Sequence, residues 1–156
     1  MRNVIITLFS IAVLCLAASH VGPASAYPPS SITGEADSIV TQNTIKSTIC
    51  VANYTAGVRA VTESEKKFVL ERDHQTRVGC CEVDHFLSLE IGGTNNKDTN
   101  LWAEPYSGKY GAREKDKVET ALHRLICGGA MTLKDAQSCI LADWVACGRR
   151  IKVLDN

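Results

Sequence analysis

The sequence has no surplus of charge of either sign, because 17 Lys and Arg residues stand against 17 Asp and Glu residues. A chain that binds nucleic acid through its overall composition is strongly basic. That class is excluded here, and contact with nucleic acid would need a local basic patch. Two segments offer one, GRRIKV near the C-terminus and the stretch from Lys109 to Lys117.

The spacing C-x-x-C, which marks many structural zinc sites, does not occur, although the chain has seven cysteines. Its absence favours disulfides, with a zinc site as the weaker alternative. Six cysteines follow residue 26, enough for three disulfides in an oxidising compartment. They are Cys50, Cys80, Cys81, Cys127, Cys139 and Cys147.

Two expectations about the pairing of these cysteines follow from their positions. Cys50 ends an apolar segment and Cys127 ends a predicted helix, so we expect these two to pair and to tie the N-terminal segment to the core. Cys80 and Cys81 are neighbours, and adjacent Cα atoms lie closer together than a disulfide prefers. Each of them is therefore expected to pair with a different part of the chain.

Long apolar runs are missing after residue 18. The one such run, Val4–Ala18 (VIITLFSIAVLCLAA), follows Arg2 and precedes the small residues of the Ala-Ser-Ala sequence at 24–26. This order predicts a secretory signal peptide over residues 1–26, cleaved before Tyr27. The alternative is an uncleaved anchor helix, which is disfavoured because the run is shorter than the roughly 20 residues of a membrane span. We therefore expect a secreted or periplasmic protein without membrane contact after cleavage.

The rest of the chain is expected to form one domain. Residues 27–38 begin with a Pro/Ser/Gly-rich segment (YPPSSITGEA), which predicts a flexible N-terminal tail. Residues 39–156 are expected to be a single domain. Within it, Thr44–Val51 (TIKSTICV) is either strand-like or the end of a bent helix.

Three segments have the pattern of helices. Thr62–Arg72 opens with the capping box Thr-x-x-Glu. Gly111–Cys127 carries an apolar stripe and is followed by two glycines that stop it. Thr132–Val145 opens with Thr-x-x-Asp and has its apolar residues on one side. The expected core residues include Trp102, Leu122 and Trp144.

The stretch EVDHFLSLEIGGTNNKDTNLW, residues 82–102, carries the most chemical information. It predicts a strand over Glu82–Leu89, a polar turn, and a second short strand from Asn100 to Trp102. An acid and an imidazole, Asp84 and His85, lie near the start of the turn. Hydrolysis of a phosphodiester needs a general base, for which His suits neutral pH, and a cation beside the leaving oxygen. Carboxylate, Asn and imidazole ligands in an oxygen-rich set favour Mg²⁺ or Mn²⁺.

The order D-H-x-x-x-L-x-x-G-G-x-N…N-L-W resembles the HNH nucleases, whose core is the ββα-metal (His-Me) finger. Together with TICVANYTAGVR upstream and with GAREKDKVETALHRLIC and LKDAQSCILADW downstream, it resembles a group of small exported bacterial proteins described as HNH-endonuclease-like. The resemblance covers most of residues 41–145. It implies an α+β fold with a ββα-metal core, flanked by helices 62–72 and 132–145 and stapled by disulfides.

The resemblance also implies roles for individual residues. His85 matches the general base, and Asp84 matches the metal-binding acid directly before it. Asn100 matches the residue that orients the base and shapes the loop. The family's last metal ligand lies in the first turns of the finger helix, where this chain has Gly111 and Ala112 instead.

Other side chains of the finger helix could replace that ligand. The nearest are Asp116, Glu119 and His123, of which Asp116 and His123 project from the same side of a helix at about 100° per residue. Asp84, Asp116 and His123 are therefore the predicted metal ligands. The implied cofactor is Mg²⁺ or Mn²⁺, the implied partner is DNA or RNA, and the chain is expected to be a monomer.

The function expected from these observations is that of a secreted metal-dependent nuclease, with little sequence preference because no base-reading element is visible. Two alternatives remain open. One is a catalytically inactive binding or structural module on the same finger, in which case His85 should be packed and satisfied rather than face an open cleft. The other is a secreted disulfide-rich effector that acts through protein contact, which an exposed apolar patch would support.

Overall fold

The structure, a computed structural model, describes residues 26–75 and 77–155. The predicted signal peptide lies outside the described residues except for Ala26. In chain order the elements are α1 (Tyr54–Val58), α2 (Glu63–Arg72), β1 (Cys81–His85), β2 (Leu101–Pro105), α3 (Ala112–Cys127) and α4 (Leu133–Arg150). Two short 3₁₀ helices cover Ile45–Ser47 and Leu89–Ile91. This combination of helices with a small sheet confirms the predicted α+β class.

Strands β1 and β2 form an antiparallel pair whose register places Glu82 opposite Glu104 and Asp84 opposite Trp102. Side chains directly opposite each other lie on the same face of such a pair, and successive residues alternate between faces. One face packs Leu101 and Ala103 against Val69 of α2. The other face carries the acidic residues toward α3, so two carboxylates approach the next helix from the sheet.

The predicted helices form where their capping residues indicate. The capping box at the start of α2 is confirmed, because the Thr62 hydroxyl accepts from the Glu65 N–H and the Glu65 carboxylate accepts from the Thr62 N–H. At the start of α4, the Thr132 hydroxyl accepts from the Asp135 N–H at 3.1 Å. Such contacts satisfy backbone donors that a helix N-terminus otherwise leaves unpaired.

The larger hydrophobic core lies between the sheet, α3 and α4. The three residues expected there, Trp102, Leu122 and Trp144, are all buried. Their burial confirms that the apolar stripe of α3 faces inward. Burial of large apolar side chains is the main force that holds such layers together, at about 1.5–3 kcal/mol for each side chain.

Helix α4 changes direction at Asp143, whose backbone is extended (φ −170°, ψ 101°). This break lies inside the helix predicted over residues 132–145, and helical residues resume after it as far as Arg150. The break brings Cys139 and Cys147 into a disulfide with a Cα separation of 5.4 Å. In a straight helix the same two residues would lie about 12 Å apart.

The remaining cysteines pair in two ways. Cys50 and Cys127 form a disulfide, which confirms that expectation. The expectation for Cys80 and Cys81 is wrong, because the structure pairs these neighbours with each other across a Cα separation of 3.7 Å. The reason is elimination: the other four cysteines pair among themselves, so no distant sulfur is left for either neighbour.

Residues 27–38, predicted to be a flexible tail, contact the rest of the domain at several positions. Ile32 is buried, and the Gly34 N–H donates to the carbonyl of Thr99 at 2.9 Å. Ala36 forms a bridge with Gly93. These contacts place the segment against the loop between the two strands.

The helices within residues 26–75 and 77–155 are all too short or too polar to cross a membrane. The disulfides are compatible with an extracellular location.

The two-glycine turn yields a stability prediction. A Cβ on Gly93 would overlap the carbonyl oxygen of Leu87, which accepts from the Asn100 side chain at 2.9 Å. We expect Gly93→Ala to lower the free energy of unfolding by about 1–3 kcal/mol, measured by urea denaturation. Gly57→Ala in α1 is the matched control, since a Cβ there meets nothing within 4 Å. It should be neutral or stabilise by up to about 1 kcal/mol. Equal effects of the two substitutions would contradict the packing described for the turn.

Candidate active site

His85 ends β1 and is buried, with 1% of its surface exposed. Its Nε2 lies 3.1 Å from Oδ1 of Asn95. The Asn95 amide is held in this orientation because its Nδ2 donates to the carbonyl of Val58 and its Oδ1 also accepts from the N–H of Ala60. An amide oxygen can only accept, so Nε2 carries the hydrogen and Nδ1 carries the lone pair.

The Nδ1 atom of His85 is buried without a hydrogen-bond partner in the part of the chain that the structure describes. It lies 4.0 Å from Oδ1 of Asp84. The pKa of His85 is lowered, chiefly by burial, although the charge of Asp84 and the hydrogen bond that the ring donates to Asn95 oppose the shift. The positive charges of Arg59 and Lys115 lower it further. His85 is therefore a neutral imidazole at neutral pH, with an available lone pair.

A fully buried lysine, Lys115 of α3, lies on the other side of the Asp84 carboxylate. Its Nζ donates to Oδ2 of Asp84 at 2.6 Å and to the backbone carbonyl of His85 at 2.9 Å. It also contacts the carboxylate of Glu119, one turn further along α3, and lies 3.4 Å from Oε2 of Glu104. One ammonium group thus faces three carboxyl groups, two from the sheet and one from its own helix.

The charges in this cluster are set by competition between burial and Lys115. Burial alone would raise the pKa of Asp84, but the charge and hydrogen bond of Lys115, with a hydrogen bond from Glu104, lower it to about 2. Burial raises the pKa of Glu104 to about 9 and that of Glu119 to about 8, and the charge of Lys115 offsets only part of that effect. Burial would lower the pKa of Lys115, yet its acidic neighbours raise it well above its usual value.

At neutral pH the cluster therefore holds one negative charge, on Asp84, and one positive charge, on Lys115. A neutral Glu104 also accounts for its own surroundings. As a carboxylate it would bury two oxygens without a hydrogen-bond donor among the described residues, whereas as an acid it can donate to Asp84. Buried unpaired charge is costly, so protonation is the favoured outcome.

An acidic surface borders this cluster. Glu82 is partly buried and Asp116 is exposed, and the pKa of each is raised, first by burial and then by the charge of Asp84. The exposed Arg59 lines the same cavity as Glu82, and its charge lowers both of these pKa values and that of His85. A cation or a phosphate group could be accommodated where these opposite charges meet.

Asn100 is buried, and its side chain bonds to the loop backbone. Its Oδ1 accepts from the Leu87 N–H, and its Nδ2 donates to the carbonyls of Leu87 and Thr94. These bonds fit the loop-shaping part of its predicted role. The side chain that contacts the imidazole is Asn95, which sequence reasoning treated as a turn residue. The one available signal was its position ten residues after His85 in the Gly-Gly-Thr-Asn sequence.

The structure does not bring the three predicted metal ligands together. The ligand atoms of Asp84, Asp116 and His123 do not form a group in which all three lie within 4.8 Å of one another. Among the described residues, the only such group consists of Cys50, His123 and Cys127, which could hold a metal ion. The reason is helical geometry, because seven residues on one face place Asp116 and His123 about 10 Å apart along the helix axis.

No protein family, curated protein or solved structure matches this chain. The resemblance to HNH nucleases therefore stays a prediction.

The raised pKa values of Glu104 and Glu119 predict how stability depends on pH. A carboxyl group with a higher pKa in the folded protein stabilises the fold fully below its unfolded pKa, about 4.5, and loses that contribution as the pH rises through its folded pKa. The free energy of unfolding should therefore fall between pH 5 and pH 8, by up to about 1.4 kcal/mol per pH unit for each group. The pKa of Asp84 is lowered instead, so its contribution to the free energy of unfolding should be lost as the pH falls toward 2.

Urea denaturation across this pH range provides the test, with Glu119→Gln expected to remove part of the slope between pH 5 and pH 8. Glu114→Gln is the control, since Glu114 lies on α3 but pairs with Lys117 at the surface. A slope unchanged by Glu119→Gln would show that the Glu119 carboxyl is ionised.

Proposed function

We propose that this protein is a nuclease of the HNH-like type, which hydrolyses phosphodiester bonds in nucleic acid with His85 as the general base. The observation that supports the proposal best is the state of the imidazole. Asn95 holds the hydrogen on Nε2, burial keeps the ring neutral, and Nδ1 offers a lone pair beside an ionised carboxylate. A positioned neutral imidazole is the group that removes a proton from water near neutral pH.

Three contacts would hold this base in place during the reaction. The Lys115 ammonium donates to the backbone carbonyl of His85 and to the Asp84 side chain, which fixes the end of β1 against α3. Asn95 fixes the plane of the ring. When Nδ1 accepts a proton, the negative charge of Asp84 at 4.0 Å would stabilise the imidazolium that forms.

The divalent cation implied by the resemblance fits two of its three predicted ligands. Mg²⁺ is commonly bound by one or two carboxylates together with substrate phosphate and water. Asp84 is ionised, and 16% of its side chain is exposed. Asp116 is exposed, and the negative charge of Asp84 raises its pKa. His123 does not belong to this set, since it bonds to the carbonyl of Ile49 beside Cys50. A bound ion would stabilise the negative charge that develops on the leaving oxygen.

Arg59 is the candidate for binding the substrate phosphate. It is exposed, follows α1 directly, and its positive charge lowers the pKa of His85. An arginine binds a phosphate through paired N–H groups. Arg59 also lines a cavity of about 760 Å³ between α2 and β1, where Lys66 and Lys67 are paired with Glu63 and Glu71 and leave the charge of Arg59 facing that of Glu82. Nucleic acid would approach along this side.

The catalytically inactive module remains the second candidate, because His85 is nearly inaccessible. Asn95 covers the imidazole and is held by the backbone of Val58 and Ala60. Catalysis requires water to reach Nδ1, which is buried without a hydrogen-bond partner among the described residues. If Nδ1 stays closed to water, the same residues form a structural cluster without activity.

Cleavage of plasmid DNA by the purified protein without its predicted signal peptide tests the proposal. We expect nicking with Mg²⁺ or Mn²⁺, and none with a chelator. His85→Ala should lower the rate by about 10²–10⁴-fold, the usual contribution of a positioned acid–base group. Because burial lowers the pKa of His85, activity should fall only below the ordinary histidine range, at a pH under about 6.5.

His74→Asn is the matched control, since His74 is exposed and follows α2 outside the site. It should cleave like the unaltered protein. RNA and single-stranded DNA should be tried with the same variants. The nuclease would be rejected, and the inactive module favoured, if none of the three substrates is cleaved. The same conclusion would follow if His85→Ala cleaved at the rate of the unaltered protein.

A further inference from the structure

A second cluster of reactive side chains lies at the C-terminal end of α3, about 18 Å along the helix axis from Lys115. We propose that Cys50, His123 and Cys127 form a redox-dependent metal site. It binds Zn²⁺, or another cation that prefers thiolates, when the disulfide between Cys50 and Cys127 is reduced. This site is separate from the His85 cluster and does not depend on nuclease activity.

The spacing of the three residues suits a shared ion. His123 and Cys127 are four residues apart on α3, so their side chains lie one above the other on the same face. Cys50 reaches the same place from the chain that follows the 3₁₀ helix Ile45–Ser47. The three ligand atoms all lie within 4.8 Å of one another. Tetrahedral Zn²⁺ with Zn–S of about 2.3 Å and Zn–N of about 2.0 Å needs separations of about 3.5–4 Å, so small movements suffice.

One nitrogen of the His123 imidazole is held by the backbone, which leaves the other for such a role. Its Nε2 lies 2.8 Å from the backbone carbonyl oxygen of Ile49. A carbonyl can only accept, so Nε2 carries the hydrogen and Nδ1 carries the lone pair. Histidines that bind metals usually donate their other N–H to a carbonyl or carboxylate, which fixes the ring and its tautomer. The residue that holds His123 is also the neighbour of Cys50, so two of the ligands are positioned by one short segment.

The position at the end of α3 also favours a cation. The last carbonyl groups of a helix carry partial negative charge. A cation already uses this end of the helix, because Nζ of Lys46 donates to the carbonyl oxygen of Cys127 at 2.5 Å. Two thiolates would neutralise the charge of a divalent ion, so no net charge would be left in this partly buried place.

The two states of the site are related by a balanced exchange. In the oxidised state the sulfurs of Cys50 and Cys127 are bonded to each other. A dithiol reductant transfers two electrons and two protons, which breaks that bond, yields two thiols and turns the reductant into its own disulfide. Zn²⁺ then displaces the two thiol protons and bonds to both sulfurs and to Nδ1 of His123. Three protein ligands leave a fourth position for water.

This exchange would preserve a connection that the fold uses. The disulfide links the segment before α1 to the end of α3 across 77 residues. In the reduced protein the metal would link the same two places, so the N-terminal part of the domain would stay attached under reducing conditions.

Metal binding by the full protein without its predicted signal peptide tests the proposal, with Zn²⁺ and Co²⁺ as probes. The oxidised protein should bind neither at this site. After reduction and removal of oxygen, it should bind one equivalent of Zn²⁺, measured by competition with a chromophoric chelator. Co²⁺ should give the sulfur-to-metal charge-transfer absorption and the intense visible bands of a tetrahedral thiolate site. His123→Gln should weaken Zn²⁺ binding at least about tenfold, since removal of even an outer partner costs that much.

Two matched variants separate this site from the other sulfurs and acids. The double substitution Cys139→Ser and Cys147→Ser should leave Zn²⁺ binding unchanged, as should Glu114→Gln, whose carboxylate pairs with Lys117 on α3. Cys50→Ser with Cys127→Ser should abolish it, and if that variant does not fold, the Co²⁺ spectrum and His123→Gln still decide. The proposal would be overturned if the reduced protein did not bind one equivalent of Zn²⁺. It would also be overturned if His123→Gln bound Zn²⁺ with unchanged affinity.

Discussion

The ammonium group of Lys115 is the constraint on which the arrangement of sheet and helix depends. A buried charge without partners would cost several kcal/mol, and no surface of this side chain reaches solvent. Its partners come from three places: the Asp84 side chain and His85 carbonyl of β1, Glu104 of β2, and Glu119 of α3. The position of α3 against the sheet is therefore fixed by charge as well as by apolar packing. A shift of the helix would separate the Lys115 ammonium from the Asp84 carboxylate and leave both charges unpaired.

The same cluster links the fold to the chemistry proposed for His85. At neutral pH the pKa values leave one of its three carboxyl groups ionised, and that group is Asp84, whose side chain is the most exposed of the three at 16%. The negative charge is thus directed toward the surface beside the imidazole. The two neutral acids, Glu104 and Glu119, lie deeper in the domain. Helix α3 presents this acidic site in its first half and the sulfur–imidazole group at its end.

Much of the fold could be predicted because local signals and burial agree. The capping box marks the start of α2, and the apolar stripe of α3 has the helical period. The strands beside the glycine turn are predicted less well, because the strand expected over Glu82–Leu89 ends at His85. The break in α4 could not be predicted, since Asp143 is surrounded by helix formers and the pairing of Cys139 with Cys147 is a tertiary contact. The pairing of Cys80 with Cys81 depended on where the other four sulfurs lie, which no local pattern contains.

The site could be predicted only in part. Asp84 and His85 are recognisable from the sequence, but Lys115 resembles the solvated lysines around it, although it lies three residues before Val118 on the buried face of α3. Asn95 has the composition of a turn, and its contact with the imidazole depends on how the loop folds back. The sequence predicts His123 and Asp116 as ligands of one metal ion because both project from the same side of α3. Two helical turns separate the two residues, so they do not meet.

Direct observation of the carboxyl protonation states tests the central claim, that Lys115 leaves two of its three acidic partners neutral. Carbon-13 NMR of the carboxyl carbons of the folded protein, with resonances assigned through Glu104→Gln and Glu119→Gln, gives each titration separately. The account predicts that Glu104 and Glu119 are still protonated at pH 7 and that Asp84 stays ionised down to about pH 3. Titration of both glutamates near the ordinary pKa of about 4.3 would contradict it.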